Sequence, residues 1–242
     1  MYGWRGRIGL IVASPNAVIE MEANKMLPEG VSAHFTRVPY AGTGTPEAGR
    51  KMIENVENCA KLLAGSDETI RVDVIGLAHG SGSALSPGGA AVPLDEAISK
   101  AVGGTPAITA STAVLSALKK FGAKTVSIGL PLNQPSMIAT VKNHLENNGI
   151  TVKKVEHLGL THHTLVSSQP PESAYRLMKQ AYSNDVDAIV LNNSNLRTLE
   201  VIDLFEKDYG KPVIAANQAL MWACLRAVGV HDALPAGKLF EF

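Results

Sequence analysis

The sequence predicts an α/β protein of two pseudo-symmetric, doubly wound parallel-sheet halves with a cleft between them. Three observations lead there. Short, nearly continuous apolar runs alternate with segments of helical period, the pattern of strands covered on both faces by helices. The stretch RVDVIGLAHGSGS at 71–83 is echoed by DVDAIVLNNSNLR at 185–197, an offset of 114 residues. The stretch RIGLIVASPN at 7–16 is echoed more loosely by KTVSIGLPLN at 124–133, an offset of 117. Two similar offsets in one chain indicate a duplicated α/β unit.

Each element follows from local pattern. Apolar, β-branched runs predict strands at 7–13, 31–39, 71–78, 125–131, 151–160, 187–192 and 212–217. Between them, 46–65 places Met52, Ile53, Val56, Cys59, Ala60 and Leu63 on one helical face. The segment 111–122 opens with Ser/Thr capping chemistry and stops at Gly122, and 135–149 carries Pro135 in its first turn and stops at Gly149. Helices at 171–184, 196–210 and 216–229 obey the same logic. The duplication divides the chain into one half of residues 1–108 plus 213–242 and a second of residues 109–212.

Composition narrows the function. With 22 basic and 22 acidic residues the formal charge is zero, and no basic block marks a nucleic-acid or anionic-membrane partner. No apolar run approaches the roughly 20 residues of a membrane span, and the opening MYGWRGRIGLIV lacks the layout of a secretory signal. The two cysteines, Cys59 and Cys224, form no metal spacing and read as core positions on helix faces. A cytoplasmic protein acting on a small molecule is expected, with a homo-oligomeric state left open.

Ligands of open α/β sheets sit beyond the carboxyl ends of the strands. The loops there carry Ser14–Pro15–Asn16, His79 to Ser83, Leu132–Asn133 and Asn193–Ser194–Asn195. Gly80, Ser81, Ser194 and Asn195 combine close backbone approach with short polar side chains at helix starts, chemistry suited to a carboxylate or an enolate oxygen. His79, near a helix N-terminus, is expected as a neutral imidazole able to exchange a proton. The repeat pairs it with Asn193, which cannot titrate but can orient the substrate by donating and accepting hydrogen bonds, so His79 and Asn193 are the catalytic candidates. Asn16 offers its amide to a carboxylate or to its own turn, both open on the residues alone. The glycines of 41–49 lack dinucleotide-binding spacing and suit a lid over the cleft. His162 and His163 are adjacent and have no nearby acidic or thiol partner, so no metal site is expected. The HGSGS run lacks the nucleophile-elbow pattern of a serine hydrolase.

The stretches IGLIVASPNAVIEMEANKMLPEGVSAHFTRVP (8–39) and LNNSNLRTLEVIDLFEKDYGKPVIAANQALMWACLRAVGV (191–230) resemble the opening and closing regions of maleate cis–trans isomerases and arylmalonate decarboxylases, within the aspartate/glutamate racemase superfamily. The resemblance spans nearly the whole chain and implies two α/β halves, a site between them and no cofactor. It matches Asn16 to a carboxylate-binding asparagine, and Gly80 and Ser81 to an oxyanion-hole segment. It also marks departures. The two positions where the family carries cysteine read His79 and Asn193, and the position of a carboxylate-binding tyrosine reads Leu132, a less polar pocket wall. With one proton-transfer group, two-base racemisation and thiolate addition are disfavoured. Decarboxylation, elimination or isomerisation with His79 as acid/base is expected. A hydrolase in which His79 activates water and a non-catalytic carboxylate binder are the alternatives.

Overall fold

The computed structural model describes residues 2–39, 46–65, 71–79 and 93–242. The first half runs β1 (Gly6–Ala13), α1 (Ile19–Lys25), β2 (Val31–Val38), α2 (Pro46–Ala64), β3 (Val74–Ala78), α3 (Leu94–Ala101), β4 (Ala107–Thr109) and α4 (Ala110–Lys120). The second runs β5 (Thr125–Leu132), α5 (Pro135–Asn147), β6 (Thr151–Leu160), α6 (His163–Ser167), α7 (Pro171–Ala181), β7 (Ala188–Leu191), α8 (Leu199–Tyr209), β8 (Val213–Ala215) and α9 (Ala216–Ala227), closed by a 3-10 turn, Lys238–Glu241. The sheets are β2-β1-β3-β4 and β6-β5-β7-β8, parallel throughout and identical in order. No helix among the described residues is long and apolar enough to cross a membrane.

Strand pairing measures the duplication. Ile8 faces Val74 and Val126 faces Ala188, so first strands match at 118 residues and third strands at 114. The looser echo is therefore one residue longer than the 117 read from sequence. Elements absent from the sequence reading are short: the three residues of β4 are too few to show alternation, and α1, α3 and α6 have five to eight residues each.

Alternation along the strands divides the core. Ile8, Leu10 and Val12 of β1, Val74 and Ala78 of β3, Val126, Ile128 and Leu130 of β5, and Ala188 and Val190 of β7 belong to one apolar cluster shared by both halves. Ile11, Ile75 and Leu77 face a second cluster under α2 and α3, while Ile189 and Leu191 face a third under α7 and α8. Helices α4 and α9 pack on each other in the shared layer, and α9 also lies on β3. Gly76 permits that approach, since a Cβ there would stand 2.6 Å from Leu10 Cδ2 and 3.1 Å from Cys224 Sγ. The final helix thus crosses back to the first sheet and holds the strand ends of both halves together.

Candidate active site

Buried hydrogen bonds draw the strand-end loops to one place. Ser194 Oγ donates to Ala78 O at 3.3 Å and accepts from Asn16 Nδ2 at 3.0 Å, joining the ends of β7, β3 and β1. Asn16 Nδ2 also donates to Ser194 O at 2.9 Å, while its Oδ1 accepts from the Val18 and Ile19 N–H groups and so caps α1. Asn195 accepts from Ala17 N at 2.9 Å through Oδ1 and donates from Nδ2 to Pro15 O (3.3 Å) and His163 O (3.0 Å). One side chain therefore ties three loops. Asn193 Oδ1 accepts from Asn195 N at 2.9 Å, a local turn that shapes its own loop.

Beneath these loops lies a buried carboxylate. Glu22 Oε1 accepts from Thr198 N (2.7 Å) and Leu199 N (2.9 Å) at the start of α8, and Oε2 accepts from Asn217 Nδ2 (2.6 Å). Asn217 also donates to Ser194 O at 3.1 Å. Desolvation pushes the Glu22 carboxyl above its ordinary range, against the three hydrogen bonds that favour the anion and with a small push from Glu200. Sequence reading passed over Glu22. The available signal was its place on the inner face of α1 with Ile19, Ala23 and Met26, where an apolar residue is the rule.

The predicted site residues divide into three groups. His79 stands at the end of β3 and Asn193 at the equivalent end of β7, as the 114-residue register requires. The half-buried His79 imidazole is lowered to about 4, chiefly by desolvation and secondly by the charge of nearby His163. It is neutral at neutral pH, as expected from sequence, although desolvation replaces the anticipated helix dipole as the cause. Asn16, Ser194 and Asn195 meet near it, but their side chains bond protein groups and hold the strand-end loops together. Gly80, Ser81 and the 41–45 part of the proposed lid lie outside the described residues.

Leu132 is a correction. Its side chain is fully buried in the outer cluster of the second half, where it offers no surface to a ligand. Strand parity would set it beside Leu130 on the shared face, but the β5–β6 register shifts between Leu130 and Leu132 and turns it outward. His163 is an omission. Adjacency to His162 drew attention only to metal binding, and no metal-type cluster occurs among the described residues. Its electrostatic effect on His79 is a tertiary fact that sequence spacing does not carry. Its own imidazole is lowered by burial and by His162. The cysteines sit on helices as predicted: Cys59 on α2 with Sγ 3.5 Å from Arg37 O, and Cys224 beneath Gly76, where burial pushes its thiol up to about 12.

Comparison with known proteins matches this arrangement to one group. The model of the arylmalonate decarboxylase family matches residues 8–240. The maleate isomerase of Nocardia farcinica is 26% identical over 247 residues, covering 97% of this chain and 95% of the relative. The arylmalonate decarboxylase of Bordetella bronchiseptica is 25% identical over 246 residues, covering 97% and 96%. The N. farcinica maleate cis–trans isomerase bound to TRIS superposes with a TM-score of 0.84 at 25% identity over 97% of each chain. The maleate isomerase of Pseudomonas putida S16 with maleate gives 0.83 at 26% identity, also over 97% of each.

Proposed function

The chain belongs to the arylmalonate decarboxylase family, and from that premise we propose that it is a cofactor-independent enzyme of lyase or isomerase type, acting on a small carboxylate with His79 as its single acid/base. The observation that carries this reading is the inequality of two equivalent positions: a desolvated, neutral imidazole at the end of β3 and a non-titrating amide at the end of β7. A two-base mechanism needs proton carriers on both faces of a carbon, and this pair supplies one.

The substrate class that fits one acid/base is a malonate-type dianion. The dianion enters the cleft, and its charge favours the imidazolium, so His79 takes up one proton from solvent. The C–C bond to one carboxylate breaks, CO2 leaves, and the electron pair remains as an enediolate. The backbone N–H of Ser194 is assigned to that oxyanion, and the family resemblance adds Gly80 and Ser81 to the same role. His79 then delivers its proton to the carbon and returns to the neutral state. Each CO2 released consumes one proton, and the product is a monoanion.

The test is decarboxylation of a malonate panel in D2O. The native chain is expected to place one deuteron on the product carbon with a single handedness. His79→Gln is expected to lower turnover at least about a hundredfold, the usual scale of one positioned acid/base. An unchanged rate removes His79 from the chemistry. Stabilisation by malonate with no product would instead identify a carboxylate-binding protein.

A further inference from the structure

A buried amide beside this site has no use in the steps above. Asn192 follows β7 directly and is 4% exposed, yet its Oδ1 has no hydrogen-bond partner among the described residues. One strand over, Asn217 in the first turn of α9 is 1% exposed and its Oδ1 is likewise unpartnered. The Asn217 amide is fixed in orientation, because its Nδ2 faces two acceptors, Glu22 Oε2 and Ser194 O; rotating it would set oxygen against oxygen. Leu191 pairs with Ala215, so the two asparagines leave neighbouring strands of the same sheet.

Direction follows from alternation. Ile189 and Leu191 face the outer cluster, while Ala188 and Val190 face the layer shared by the halves, so Asn192 continues the shared face. Its equivalent in the first half is Ala78, whose carbonyl accepts from Ser194 Oγ. A buried asparagine thus follows β7 at the position where the first half has the methyl group of Ala78. Buried polar groups are paired in nearly all folded proteins, and a leftover buried acceptor directly before Asn193 and Ser194 of the candidate site leaves room for a donor that arrives with a ligand.

We propose that Asn192, backed by Asn217, is a specificity residue that receives a hydroxyl or amino hydrogen on the substrate, so that the preferred substrates are small carboxylates bearing a hydrogen-bond donor on the carbon next to the carboxylate. The inference deepens the function proposed above and rests on it. A plain malonate can occupy the cleft but leaves the Asn192 oxygen unpaired. A hydroxymalonate satisfies it.

Calorimetric titration with malonate and hydroxymalonate at neutral pH tests this in the native chain and in Asn192→Ala and Asn192→Leu. The native chain is expected to bind hydroxymalonate about tenfold more tightly, a difference on the scale of one well-made buried hydrogen bond. Both variants are expected to bind the two diacids within about twofold of each other, with malonate affinity little changed. Asn192→Leu, which fills the same space without a polar atom, is expected to melt no lower than the native chain, because no protein hydrogen bond is lost; this separates lost recognition from lost folding. Equal binding of the two diacids by the native chain overturns the inference and assigns the amide to ordered water. A preference that survives in both variants overturns it as well. If neither diacid binds, the small-carboxylate reading falls and this inference falls with it.

Discussion

The ends of β3 and β7 are the same place built twice, and they differ in the one property that matters for proton transfer. At the first, His79 is desolvated, held neutral and influenced by the charge of nearby His163. At the second, Asn193 spends its oxygen on the N–H of Asn195 and stiffens its own turn, while Ser194 and Asn195 stitch that turn to β1, β3 and α6. The lesson is a division of labour: a duplicated scaffold supplies two equivalent strand ends, one ending in a desolvated imidazole and the other in an amide bound to its own turn, and the proposed mechanism gives proton transfer to the first alone.

Removing the carrier is the most severe way to break this comparison. Beyond the loss of turnover, His79→Gln is expected to change the response to acid. A histidine lowered from about 6.5 to about 4 stays neutral in the fold while the unfolded chain protonates, so its contribution is present above pH 6.5 and is lost as pH falls toward 4. The span corresponds to at most about 3 kcal/mol. His163 is shifted in the same direction. Melting curves between pH 4 and 7 are expected to show a shallower acid limb in His79→Gln than in the native chain. An identical slope would mean that His79 is not desolvated in the fold.

Adding a second carrier sharpens the comparison from the other side. Asn193→His places imidazoles at both equivalent positions, and two-base exchange becomes available. The expected result is loss of handedness in the deuterated product, read by chiral chromatography, with CO2 release continuing. Retention of full handedness would show that residue 193 does not address the reacting carbon.

The frame has its own weak point in Glu22. Glu22→Ala strips acceptors from the Thr198 and Leu199 N–H groups and from Asn217, and is expected to cost about 3 kcal/mol in denaturant unfolding. The native carboxyl is raised by burial, so its contribution is fully present below the ordinary carboxylate range and declines as pH rises through and above it. Glu22→Gln is expected to abolish that decline while keeping an acceptor for the α8 start. A stability difference between the native chain and Glu22→Gln that stays constant from pH 4 to 8 would contradict the buried carboxyl.

Legibility of these features in sequence tracked how local their causes are. The strands of both sheets except the three-residue β4 were readable from their apolar runs, and the 114-residue echo paired the position of His79 with that of Asn193. The reading failed where tertiary structure overrides parity or spacing. Leu132 keeps the parity of Leu130, but the β5 irregularity turns it to the other face. Glu22 interrupts the apolar face of a seven-residue helix, so α1 did not read as amphipathic. His163 lies 84 positions from His79 in sequence, and their electrostatic meeting depends on α6 starting beside the 193–195 loop. Asn192 looked like the last residue of a buried strand, and only the absence of a partner for its oxygen among the described residues distinguishes it.

The mildest test concerns Asn193 itself. If its role is framing, Asn193→Ala removes one side-chain-to-backbone bond, the acceptor of the Asn195 N–H, and nothing else in the network. Such a loss costs about 1 kcal/mol, seen as a small drop in melting temperature. Asn195 still holds Ala17, Pro15 and His163 through its own side chain, and Ser194 still reaches Ala78, so the loop keeps its place. Turnover is then expected to fall only severalfold, far less than in His79→Gln. A loss as large as that of His79→Gln would mean that the amide touches the reacting atoms, and the division of labour between the two strand ends would have to be redrawn as a shared task.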